Sequence, residues 1–182
     1  MSDRRLAVLV LLSICLFAIT VGVALAWQSK DSIVATPTPV AVASAQCHSV
    51  NGLPDPVCTP GVIDPQVTQE NISTTICVRG YTKTVRPPAS YTHDLKARQI
   101  AEYGYADTKL ASYEEDHLIP LELGGHPTDP KNLWPQPRAG DYPAAMKDLV
   151  ENSLHTKVCA GAISLAAAQS AIATNWESIK KS

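Results

Sequence analysis

The apolar and polar positions of this chain fall into distinct zones. The first is a run of 22 residues, Leu6 to Trp27, with no charge in it and with Arg4 and Arg5 just ahead. A helix of that length spans a bilayer. A secretory apolar region is usually shorter, about 7–15 residues, yet Ala24-Leu25-Ala26 closes the run with a small-residue cleavage pattern. Anchor (1–27) and cleaved signal (1–27) both stay open. Either one puts the rest of the chain outside the cytoplasm, because the arginines hold the N-terminus inside.

Residues 28–56, with "SIVATPTPVAVASAQ", show neither a helical nor a strand period and read as an extended linker. The compact domain is placed at 57–182. Its front carries turn signals at Pro60-Gly61 and Asp64-Pro65, a strand-like "TTICV" at 74–78, and a stop at Pro87-Pro88. "THDLKARQIAEYGYA" then puts Leu95, Ile100 and Tyr103 on one helix face, with Thr92 in the N-cap position. Further on, Met146, Leu149, Val150, Leu154 and Val158 recur at helical spacing, with Pro143 at the start and Gly161 at the end. Leu165, Ala168, Ile172, Trp176 and Ile179 form a last apolar stripe.

Composition changes this picture in two ways. The formal net charge is −2, so the chain has no global basic excess with which to coat nucleic acid. Cysteine usage agrees with export. Cys47, Cys58, Cys77 and Cys159 lie outside the apolar run, and no C-x-x-C spacing points to zinc. Two disulfides have three possible pairings. Cys77–Cys159, each beside an apolar stretch, and Cys47–Cys58, closing a short loop, are the expected ones.

The chemistry concentrates in "SYEEDHLIPLELGGHPTDPKNLWPQP", residues 112–137. "SYEEDHLIP" is strand-like up to Pro120. "GGHPTDP" must turn, since Gly124 and Gly125 permit positive φ while Pro127 and Pro130 stiffen the loop. "KNLWP" is a second short strand, and the Met146 helix follows. This order, with Asp116-His117, Gly124-Gly125 and Asn132-Leu133, resembles the HNH, or His-Me finger, nucleases over residues 112–155. The chain around that core is similar to a group of exported bacterial proteins carrying such a core. The fold class expected is α+β: a small ββα-metal core with flanking helices and disulfides.

The resemblance implies a metal-dependent endonuclease that hydrolyses phosphodiester bonds in DNA or RNA. His117 would be the general base, suited by a pKa near working pH. Asp116 would give a carboxylate oxygen to a divalent metal, magnesium in the first place. Asn132 would brace the loop that holds His117, since an amide both donates and accepts. One part of the pattern is missing. The helix start, "GDYPAAMKD", has no His or Asn to serve as second metal ligand. Asp141 and Asp148 are the nearest donors, with Glu151, Asn152 and His155 a turn later, and Asp148 is preferred by proximity.

Plainer roles exist for the same residues. His117 can be a structural histidine, Glu114 a solvated charge, Trp134 a core residue rather than a base-stacking surface, and His155 a helix-surface residue. Arg79, Lys83, Arg86, Lys96 and Arg98 stand against one acid, Asp94, within 78–98, with Tyr81 and Tyr91 among them. This is the place for a nucleic-acid backbone, although a charge run is usually just a solvated face. The competing reading of the whole is a non-catalytic envelope or cell-wall-associated domain built on an HNH-like scaffold. Oligomeric state is open.

Overall fold

The computed structural model describes residues 47–179. The Leu6–Trp27 run and most of the predicted linker lie outside these residues. Among the described residues, no helix is long and apolar enough to cross a membrane. The fold is α+β, with a two-stranded antiparallel sheet and helices before and after it.

The front half is loop-rich and held by side-chain and disulfide ties rather than by a sheet. The strand predicted over 74–78 is absent. A 3-10 turn over Gln69–Thr74 runs into tight turns instead, with Cys77 N donating to Ile72 O at 2.9 Å. Thr74 and Thr75 explain this locally, because both hydroxyls bond back to the Asn71 carbonyl and so satisfy it without a partner strand. Helix α1, Tyr81–Val85, is one turn long and stops ahead of Pro87-Pro88. Helix α2, Ala89–Glu102, starts directly after Pro88. Its start lies earlier than predicted, with Pro88 as the N-cap residue. Thr92 therefore sits inside the helix, where its hydroxyl bonds Ala89 O at 3.2 Å. The predicted face of α2 is buried, with Leu95, Ile100 and Tyr103 each 3% exposed.

Strand β1, Tyr113–His117, pairs antiparallel with β2, Leu133–Pro137, with Asp116 opposite Trp134 and His117 opposite Leu133. The loop between them depends on its glycines. Gly124 has φ +72°, and a Cβ on Gly125 would lie 1.7 Å from Ile119 O. No side chain fits there, so the loop can close against the Pro120 carbonyl, where Gly125 N donates at 3.0 Å.

Helix α3, Ala144–Cys159, follows β2 and completes a strand-loop-strand-helix order. It ends as Gly161 predicts. Ala162 N bonds Lys157 O and Gly161 N bonds Val158 O, with Gly161 at φ +73°, which is a left-handed helix stop. The buried stripe of α3 differs from the expected one. Leu149 is 50% exposed, whereas Lys147, Val150, Leu154 and Val158 are buried. Helix α4, Leu165–Asn175, is capped by Ser164, and Leu165, Ala168, Ile172 and Trp176 all lie in the core. There they pack with Val67, Ile119 and Leu123 from the front and the loop. Each of the Val, Leu and Ile side chains contributes about 1.5–3 kcal/mol on burial.

Two disulfides, Cys47–Cys58 and Cys77–Cys159, tie this body together, and they suit an oxidising compartment. Cys77–Cys159 joins the front to the end of α3. Cys47 is buried, and its backbone N–H donates to Glu102 O at 2.9 Å. Residues 47–56, assigned by the sequence to the linker, thus belong to the folded body.

Candidate functional site

His117 closes β1 and lines a cavity of about 100 Å³. Its ring is held from one side, where Nε2 lies 3.0 Å from the Pro127 carbonyl. A carbonyl only accepts, so in the neutral ring the proton is on Nε2 and Nδ1 keeps its lone pair. Nδ1 has no hydrogen-bond partner among the described residues. Burial, helped by the nearby Arg86 and Lys147 charges, pushes the imidazole pKa down to about 4, although the Pro127 bond opposes this. At neutral pH the ring is uncharged, but its pKa lies well below the working-pH value that the sequence reading expects of a general base.

The cavity wall is acidic. Glu114, Glu115, Asp116, Glu122, Asp148 and Glu151 line it together with Thr82, Arg86 and His117. Several of these carboxyls resist ionisation. Burial pushes Glu115 up to about 8, against the pull of Lys96. Burial and then the Glu151 charge raise Glu122, whose Oε1 is buried without a partner. Glu114 is engaged outward by Arg138 at 2.8 Å.

The two predicted metal ligands, Asp116 and Asp148, line the same cavity. Asp116 is buried, and its Oδ2 lies 2.8 Å from Nζ of Lys147, as an ion pair out of line for a hydrogen bond. The same ammonium donates to Glu151 Oε1 at 2.6 Å and to the His117 main-chain oxygen at 2.8 Å. Lys147 is fully buried; burial alone would lower its pKa, but Asp116 and Glu151 outweigh that and hold it protonated. Glu151 is pushed up to about 7 by burial, with Lys147 pulling the other way. Asp148 lies exposed at the rim. The carboxylate brought up to Asp116 is therefore Glu151, one turn further on, with Lys147 between them.

Asn132 is fully buried. Its Oδ1 accepts from Ile119 N at 3.0 Å and Val62 N at 3.3 Å, while Nδ2 donates to Ile119 O at 3.0 Å and His126 O at 3.1 Å. One side chain thus ties the β1 exit, the glycine loop and the front segment. His126 adds to the turn, its Nδ1 accepting from Asp129 N at 3.0 Å. Trp134 is wholly buried beside Tyr103, in the core and not on a stacking surface.

The basic residues are dispersed. Arg86 lines the cavity with His117. Lys96 donates to Tyr113 O at 3.1 Å. Arg79 borders a separate recess with Cys77 and His155, and Lys83 and Arg98 are exposed.

Lys147 carries no role in the sequence reading, and Glu151 enters it only as a donor one turn beyond the preferred Asp148. A signal for them exists. Positions 147, 150, 154 and 158 form one helical stripe, so a lysine there must be buried, and glutamate four residues on is its natural partner.

A second set of donors lies apart from His117. Cys77, His155 and Cys159 bring one ligand atom each to within 4.8 Å of one another, a group able to hold a metal ion. The two sulfurs are joined as a disulfide, so the set becomes a thiolate site only on reduction. His155 also lies 2.9 Å from Ile76 O through Nε2, so its helix face is occupied. Comparison with protein-family models, with curated proteins and with solved structures gives no match to this chain.

Proposed function

We propose that this protein is an extracytoplasmic phosphodiester hydrolase of the HNH kind, acting on DNA or RNA with little sequence preference. One observation carries the reading: a neutral imidazole at a strand end, its Nε2 proton tied to Pro127, lining a polar cavity together with Arg86. In this reading Nδ1 of His117 takes a proton from water. The water oxygen bonds to phosphorus as the bond to the leaving sugar oxygen breaks, and that oxygen takes its proton from solvent. Arg86 at the cavity receives a phosphate oxygen, and Asn132 keeps the strand exit in place.

A polyanion meeting the carboxylate wall is repelled unless cations offset it, which gives a divalent cation, magnesium in the first place, its part here. The donors fit in kind, being hard carboxylate oxygens. Glu122 has an unpartnered buried oxygen and Asp148 an exposed one, whereas Asp116 and Glu151 are shared with Lys147. Bound there, the ion would supply charge stabilisation to the phosphate. The full-length protein is expected to nick plasmid DNA or RNA in magnesium or manganese and to stop in chelator; inactivity with every metal and nucleic-acid form contradicts the reading. Export as an anchored or secreted protein belongs to the same proposal.

The second reading, a non-catalytic envelope domain, has its own support. Lys147 already neutralises much of the Asp116–Glu151 charge, as a purely structural centre would require. An inactive protein that remains stable and folded would favour it.

A further inference from the structure

We infer that Lys147 is a resident cation that takes the place of a metal between β1 and α3, so that Asp116 is not a metal ligand in this protein. The inference rests on the hydrolase reading only for its mechanistic meaning. Three oxygen partners surround the ammonium: Asp116 Oδ2 at 2.8 Å, Glu151 Oε1 at 2.6 Å and the His117 carbonyl at 2.8 Å. The ammonium donates hydrogen bonds to Glu151 and to the His117 carbonyl, and it pairs with Asp116 through charge. The side chain is fully buried. A second cation bound to the same two carboxylates would face the ammonium across a few ångströms of dry protein, where like charges repel strongly.

The third contact gives Lys147 a positioning role. It holds the main chain of His117 itself, the residue whose ring faces the cavity. One side chain therefore neutralises the acidic pair and fixes the end of β1. A divalent ion, when it acts at this site, must use the outer donors Glu122 and Asp148 and leave the inner pair alone.

The test is manganese binding to the full-length protein without substrate, read by the electron paramagnetic resonance of free and bound Mn²⁺. Because no turnover is involved, an inactive protein tests the inference as well as an active one. In the wild-type background Asp116→Asn is expected to leave Mn²⁺ affinity within about twofold, because the carboxylate is not a ligand. Lys147→Met is expected to gain a site at least about tenfold tighter, since two buried carboxylates without a counter-charge must take up a cation or a proton. The double variant, Lys147→Met with Asp116→Asn, is expected to lose that gain. Lys147→Gln serves where the methionine variant does not fold. A loss of about tenfold or more in Asp116→Asn alone, or no gain on replacing Lys147 at any pH up to about 9, where the freed carboxyls shed their protons, overturns the inference.

Discussion

His117 is a base whose surroundings keep it uncharged. Burial holds its pKa near 4, below the ordinary imidazole value of about 6.5. The acid limb of kcat/KM for plasmid cleavage is therefore expected near pH 4–5, and a limb at about 6.5 would mean a solvated ring. Stability has its own sign here. The unfolded chain takes a proton on this histidine before the folded protein does, so stability falls as the pH drops from about 6.5 toward 4. Far-ultraviolet circular dichroism at each pH separates that loss from the kinetic limb. Glu115 runs the other way. Its folded pKa of about 8 lies above the ordinary carboxyl value. Its contribution is complete below about pH 4 and is lost as the pH rises through 8. Glu115→Gln is thus expected to gain on wild type with rising pH, on the order of 4 kcal/mol by pH 8 in urea melts. A difference that does not change with pH would contradict the buried, unpartnered carboxyl.

At the scale of elements, the loop between β1 and β2 hangs on Asn132. Asn132→Ala removes four hydrogen bonds to Ile119, Val62 and His126. It leaves buried backbone groups unpaired, at a cost of at least about 2 kcal/mol. Equilibrium denaturation reads this, and an unchanged midpoint would remove the clamp from the account. Replacing Cys77 and Cys159 together by serine is expected to cost about 2–5 kcal/mol, read the same way, because the bridge spans 82 residues. The elements legible in the sequence are those whose local chemistry leaves no alternative. Gly124 turns left-handed in the loop between the strands, and Gly161 does so at the end of α3. What was not legible depends on contacts distant along the chain. "TTICV" has strand composition, but Thr74 and Thr75 bond back to Asn71. Leu149 fits an apolar period, yet the face that packs is rotated toward Lys147, a position only the buried acids opposite make tolerable. The same reason hid the site's centre. Asp116, His117 and Asn132 stand out as motif residues, whereas Glu151 becomes part of the site only once α3 is laid against β1.

Across the whole molecule, two disulfides and a loop-rich front support a small body in which the carboxylate-lined cavity is the place where His117 meets solvent-accessible space. The central claim is that this imidazole acts as a base in phosphodiester hydrolysis. The most direct measurement is the initial rate of supercoiled-plasmid nicking in magnesium by wild type and by His117→Ala, with circular dichroism showing both folded. The account predicts a rate in wild type that chelator abolishes, and a fall of at least about 100-fold in His117→Ala, the scale of general-base catalysis. Equal rates in the two proteins, or none in wild type with any divalent metal, would contradict it.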